Sequence, residues 1–358
     1  YRHSNARMMG VDHDFPLSAP FQMSNHGKRS LALDLALPQA QAALRQVVDR
    51  ADVLITNMLP ARLARYGLDP ETLLAERPEL IIGRLSGYGA DGPEADTPAF
   101  DYTAYWARSG LMDRLHDEGT PPAFQRPGIG DHTAALALAL GIVAALRTRD
   151  SEGRGQIIDV ALQNIGYYVA GNDVSWAAAT GHTAPRHDRS QPRNPLWNQY
   201  QCKDGRWLFL VMIESDRYWS SFTQAIDRPE LENDERYANG FGRYHNTVEL
   251  TAALDAIFAE RTLGQWGERL DAHRLIWAPV QTYAEAAEDP TAAARNVFPT
   301  VDHPTVGPFR TVAPPFSMSD HPMLGNAPAP ALGADTEAVL RESGIDDETI
   351  ALLIAAAS

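Results

Sequence analysis

The sequence has a single cysteine, Cys202, in 358 residues. That excludes an internal disulfide framework and fits a reducing, cytoplasmic compartment. Positive charge is also short: 31 Lys and Arg face 46 Asp and Glu, a formal net charge of −15. Nucleic acid is excluded as the principal partner on that balance, because phosphate-backbone binding depends on clustered cations. A phosphorylated small molecule needs only a few local ones. No apolar run reaches membrane-span length unbroken, the longest being residues 134–146, so no membrane partner is expected. Metal-ligand spacing is missing around His182, His187 and the set Trp197, Trp207 and Trp219, so no metal is expected. Neither a targeting segment nor an internal repeat is evident. The chain opens at Tyr1 in polar, Met-rich sequence and is expected to lack its natural N-terminus.

What is present is organised around Arg126-Pro127-Gly128-Ile129-Gly130-Asp131 and the apolar run that follows it. The run carries Leu136, Leu138, Leu140, Ile142, Val143 and Leu146 with alanines between, which predicts a helix apolar on nearly every face and buried. Asp131 then reads as its N-cap, worth about 1 kcal/mol. Upstream, Ser30 to Leu35 alternates as a strand, and residues 39–50 repeat at helical spacing after Pro38. Residues 52–57 and 80–87 read as strands, with helices at 60–66 and 70–77 between them. That rhythm predicts an α/β domain with a parallel sheet, whose strand ends at Asn57 and at Ser86-Gly87-Tyr88 are candidate ligand walls.

Helices are expected over 101–112, kinked at Gly110, and over 163–178. Asp101 and Asp159 read as structural. An Asp204-Gly205 turn between apolar runs predicts a hairpin over 197–213. Helices at 216–226, 247–260, 263–273 and 283–288 complete a smaller α+β unit. The expected organisation is a large domain over 1–180, a linker at 181–195, a small domain at 196–296 and a return to the large domain at 297–358.

Seven pieces stand in a recognisable order and spacing: Asn25 with Lys28 to Leu35, Ala51-Asp52-Val53-Leu54 with Asn57, Gly67-Leu68, Leu85-Ser86-Gly87-Tyr88 with Gly92-Pro93, Ser109-Gly110-Leu111, Gly130-Asp131, and Gly153-Arg154-Gly155-Gln156. On these the chain resembles class III CoA-transferases, the family of formyl-CoA transferase and carnitine CoA-transferase, which also contains α-methylacyl-CoA racemase. The match is dense over residues 24–171 and looser beyond.

The resemblance implies a Rossmann-like large domain, a small α+β domain and an interlocked homodimer. It implies coenzyme A and acyl-CoA as substrates, with no tightly bound cofactor, and an acyl-CoA donor and a carboxylic acid acceptor as partners. Asp131 falls on the catalytic nucleophile. CoA contacts fall on Leu33, Ala36, Asn57, Met58, Leu59, Arg65, Leu85, Ser86, Gly87 and Tyr88.

Departures are also visible. The family's first strand and its glycine-bearing loop are expected to lie upstream of Tyr1. Ala36 stands where transferases often carry lysine, and Phe100 stands where the racemase branch carries its catalytic histidine. An apolar ring cannot exchange a proton, which disfavours two-base racemisation. No glycine-rich shielding loop is found in the small domain.

The chemistry implied is CoA transfer through aspartyl anhydrides and an aspartyl-CoA thioester. The dipole of the helix start is expected to keep Asp131 ionised, and the backbone amides of Gly130 and His132 to support an oxyanion. The alternatives are an acyl-CoA racemase or intramolecular CoA-transferase of the same superfamily, and a non-catalytic CoA-binding protein.

Overall fold

The computed structural model describes residues 2–4, 6–320 and 327–357. Pro38, whose fixed φ suits a first helical turn, opens α1 (Pro38–Val48), which buries Ala40, Ala43 and Val48. The β-branched run after it forms β1 (Val53–Thr56). Helices α2 (Pro60–Arg65) and α3 (Pro70–Glu76), each with Pro in its first turn, lead to β2 (Ile81–Ser86). The long helix α4 (Ile129–Glu152) precedes β3 (Ile157–Ala161). The three strands make one parallel sheet in the order β1-β2-β3, with Thr56 opposite Arg84 and Ser86 opposite Ala161. The alternating strand and helix patterns thus give a mixed α/β architecture.

Helix α4 departs from expectation in length and in burial. It has 24 residues, and by length and composition alone it is long and apolar enough to cross a membrane. The expected core was shorter because the polar residues at both ends continue the helix. Nor is it buried all round. Gly130, Ala134, Leu138, Ile142 and Ala145 are buried, while Leu136, Leu140 and Val143 are exposed. The buried set recurs every three or four residues and so occupies one face. That face packs on Ile81, Ile158 and Val160 of the sheet. Full burial of Leu138 and Ile142 contributes about 1.5–3 kcal/mol each.

Three further expectations are corrected. Residues 30–35 form no strand, and Leu35 lies in a turn; Ser30 N–H donates to Asp335 Oδ2 at 2.8 Å and Ala32 N–H to Thr336 Oγ1 at 3.0 Å. Their alternation is real half-burial, with Leu31, Leu33 and Leu35 packed against Leu340, Ile350 and Leu353. The helix expected over 101–112 is a wider turn at Tyr102–Ala107, where Trp106 N–H reaches Asp101 O at 2.9 Å, followed by a short helix after Gly110 at φ 90°. The helix expected over 163–178 divides at Ala170 into α5 (Leu162–Val169) and α6 (Gly171–Thr180).

The chain divides into two units. One comprises the residues up to His116, Pro121–Ala184 and the residues from Ala293 on; the other comprises Asp117–Thr120 and Pro185–Ala292. In the second, β4 (Trp197–Gln201) and β5 (Trp207–Val211) pair antiparallel through the Gly205 turn. Helices α7 (Ser215–Ala225), α8 (Thr247–Phe258) and α9 (Leu263–Ala272) follow, and β6 (Trp277–Pro279) joins β5. Tyr200, Phe222, Leu254, Phe258 and Trp266 fill its core. The first unit takes in the hairpin β7 (Thr300–His303) and β8 (Gly307–Arg310), then α10 (Thr336–Glu342) and α11 (Asp347–Ala357).

Candidate active site

The Pro-Gly turn before α4 is built by Gly128, whose φ of 86° suits a residue without Cβ. Asp131 is the third residue of the helix, in its first turn, so it is not the N-cap. Asp101 does that work from another segment. Its carboxylate, 3% exposed, accepts from Gly128 N–H at 3.1 Å and Gly130 N–H at 3.3 Å. Gly130 has a steric reason as well: a Cβ there would lie 2.6 Å from the buried Tyr105 ring. The turn is therefore clamped on two sides, by Asp101 through hydrogen bonds and by Tyr105 through packing.

Asp131 is an exposed residue at this clamped terminus. The surrounding protein still displaces enough water to raise its carboxyl above the ordinary value. The Asp101 charge raises it further, and His132 opposes both. Desolvation and the like charge act against the helix dipole, which favours the ionised form. The two amides expected to support an oxyanion are already engaged. Gly130 N–H donates to Asp101 Oδ2, and His132 N–H donates to Gly128 O at 2.9 Å. Neither amide is therefore free to support an oxyanion.

Only residues 153–156 separate α4 from β3, so α4 runs antiparallel to the strand it feeds and its first turn returns to the carboxyl edge of the sheet. Leu138 lies against Gly83 of β2. Asp131 is seven residues earlier, roughly 10 Å of helix rise. Ser86 is three residues beyond Gly83, roughly 10 Å of strand. Asp131 and the end of β2 are thus at one level. Asn57, exposed just past β1, shares that edge.

Around it, Leu85 and Tyr88 pack in one cluster with Tyr105, Trp106 and Ala134 of α4. Ser86 Oγ accepts from Gly89 N–H at 2.9 Å, and the buried Gly87 accepts from Gln163 N–H at 3.0 Å. The Arg108 guanidinium sits 5.0 Å from the Tyr88 ring centroid. Asp159, read as structural, accepts from Ala90 N–H at 3.2 Å and holds this same loop.

The other residues implied for CoA are more dispersed. Leu33 packs with the C-terminal helices, and Ala36 is exposed, its N–H donating to Asp34 at 3.0 Å. Met58 belongs to a third cluster with Leu63, Leu68 and Leu73, and Leu59 precedes α2. Arg65 is exposed, 5.8 Å from the Tyr66 ring. The clamping roles of Asp101 and Tyr105 had no signal in local spacing. Among the described residues, no three His, Cys, Asp or Glu side chains group as metal ligands.

Comparison with known proteins adds what geometry alone does not. The sequence profile described as CoA-transferase family III matches residues 2–336. The chain is 31% identical over 350 residues to (R)-2-hydroxy-4-methylpentanoate CoA-transferase of Clostridioides difficile, covering 96% of this chain and 87% of that protein. It is 28% identical over 333 residues to cinnamoyl-CoA:phenyllactate CoA-transferase of Clostridium sporogenes, covering 92% and 81%. A crystal structure of a CAIB/BAIF family protein from Brucella suis superimposes with a TM-score of 0.80 at 27% identity, covering 93% of this chain and 86% of that one. The chain belongs to CoA-transferase family III and is an enzyme of the class III CoA-transferase type.

Proposed function

We propose that the protein moves coenzyme A from an acyl-CoA donor to a free carboxylic acid, with Asp131 as covalent carrier. A carboxylate oxygen of Asp131 attacks the donor carbonyl, the C–S bond breaks, and CoA leaves as thiolate, giving a mixed aspartyl–acyl anhydride. The thiolate attacks the aspartyl carbonyl and expels the first acid as its carboxylate. The acceptor carboxylate then displaces the thiolate from aspartyl-CoA, and the thiolate takes the new acyl group, regenerating Asp131. Every leaving group is the next nucleophile or a carboxylate, so no net proton is consumed and the thioester is conserved.

The observation that carries this reading is the exposed Asp131 carboxylate on a clamped helix start, level with strand ends suited to a ligand. CoA is proposed to lie along that edge against Asn57, Met58, Leu59, Leu85, Ser86, Gly87 and Tyr88, with Leu33, Ala36 and Arg65 farther out. The relatives are named for branched, aryl and dicarboxylic acids, so family membership leaves the acid open. A homodimer, interlocked as in the family resemblance, is supported by the exposed apolar face of α4 and by Tyr168 and Trp176, 87% and 66% exposed. A cytoplasmic location is supported by the single, buried Cys202 thiol.

The test is Asp131→Ala in the full chain. CoA transfer should fall at least about 10³-fold, and the CoA adduct trapped on the wild-type chain and seen by mass spectrometry should disappear. A folded Asp131→Ala protein that still transfers CoA would refute the mechanism. Appearance of solvent deuterium at the acyl α-carbon without acid exchange would point to racemisation instead.

A further inference from the structure

Beside the Asp131 turn stand aromatic side chains that the transfer chemistry does not use. Phe100 is 77% exposed and Phe124 78% exposed. The Phe124 ring stacks on Tyr102, with centroids 5.3 Å apart at 30°. Phe100 and Tyr102 are the chain neighbours of Asp101, whose carboxylate lies 3.1 and 3.3 Å from the amides of Gly128 and Gly130. Consecutive Cα atoms are about 3.8 Å apart, so both backbones lie one residue from the clamp that positions Asp131. Phe124 stands on the segment entering the same turn, and Ile129, the first residue of α4, is 43% exposed.

The core does not account for these rings. Ala104, Tyr105 and Trp106, not Phe100, fill the neighbouring cluster. An aromatic ring left in water forgoes the burial that makes such residues dominate binding sites. In this stretch Arg108 pairs with Glu94 at 3.0 Å, while the exposed Arg126 donates to Met9 O at 3.3 Å.

We infer that Phe100, the Tyr102–Phe124 stack and Ile129 form the acyl-side wall of the Asp131 site and select acids with a bulky apolar group, aryl or branched alkyl, over short acids and dicarboxylic acids. The selection deepens the proposed CoA-transfer reading and rests on it only for the location of the site. It has a physical basis in area. Each ring offers a flat apolar surface to an acyl chain but no hydrogen bond or charge to a terminal carboxylate, whose desolvation would go uncompensated.

The test separates binding from chemistry. Titration calorimetry on the full-length protein compares 3-phenylpropanoyl-CoA, 3-methylbutanoyl-CoA, acetyl-CoA and succinyl-CoA. The two bulky thioesters should bind at least about 10-fold more tightly than the other two. Phe100→Ala and Phe124→Ala should each cut that ratio several-fold. In the acid-exchange assay with acetyl-CoA as donor, 3-phenylpropanoate should likewise exceed succinate as acceptor in kcat/KM, and the ratio should collapse in the double variant.

Equal binding of the four thioesters would overturn the inference even if CoA transfer through Asp131 is confirmed. Tight, ring-dependent binding of the bulky thioesters would sustain it even if no adduct forms on Asp131. A double variant that loses its oligomeric state in light scattering while keeping the binding ratio would also overturn it, assigning the rings to contact between chains.

Discussion

A carboxylate in the first turn of a helix is ordinarily comfortable as an anion, and Asp131 departs from that rule. Loss of hydration and the neighbouring Asp101 charge raise its pKa. A raised carboxyl binds protons more tightly in the folded chain than in the unfolded one. Its stabilising contribution is therefore full below the ordinary carboxylate pKa and is lost as pH rises through the raised value. Asp131→Asn removes the charge and keeps the shape. It should raise Tm relative to wild type at pH 7.5, and the advantage should disappear towards pH 3.5, as scanning calorimetry at the two pH values can show. A variant of equal or lower Tm at pH 7.5 would mean that the ionised carboxylate is not under strain. A group that the fold holds at some cost is what covalent catalysis leads one to expect.

At the scale of elements, α4 starts where it does because a second segment supplies its cap. Asp101→Ala leaves the Gly128 and Gly130 amides without their carboxylate partner, and caps of this kind are worth about 0.5–2 kcal/mol. A fall in Tm of that order is expected. Asp101→Asn keeps an acceptor and removes the charge, so the fold should survive while the acid limb of the activity profile moves to lower pH, because the Asp101 charge no longer raises the Asp131 carboxyl. A pH–rate profile that does not move would assign Asp101 a purely structural role. Little of this clamp was legible beforehand. Asp101 stands 27 and 29 residues from its two amide partners, and no periodicity links positions that far apart.

For the whole molecule, the informative surface is the one α4 leaves open. Leu136, Leu140 and Val143 follow at intervals of four and three and so share a helix face, and Leu140 is 72% exposed. Apolar faces of this kind on a stable protein mark interfaces, and a specific one buries about 1,600 Å² in total. The double substitution of Leu140→Glu and Val143→Glu should convert the proposed dimer to a monomer in light scattering at micromolar concentration. A variant that stays dimeric, or a wild type that is monomeric, would remove α4 from the interface.

Local physics in the sequence determined a good deal. Pro and Gly punctuation, a β-branched run and helical spacing were enough to place β1, β2, α1 and the Gly205 hairpin, because each depends on residues a few positions apart. The motif order was enough to identify the family. Tertiary structure decided whatever depends on distant partners. Residues 30–35 have the alternation of a strand, but their hydrogen bonds go to Asp335 and Thr336, some three hundred positions away. Composition made α4 apolar on every side, and only packing against the sheet chose the stripe from Gly130 to Ala145 as the covered face. The state of Asp131 was decided in the same way: spacing placed it at a helix start, whereas its hydration and its charged neighbour come from segments that only the fold brings together.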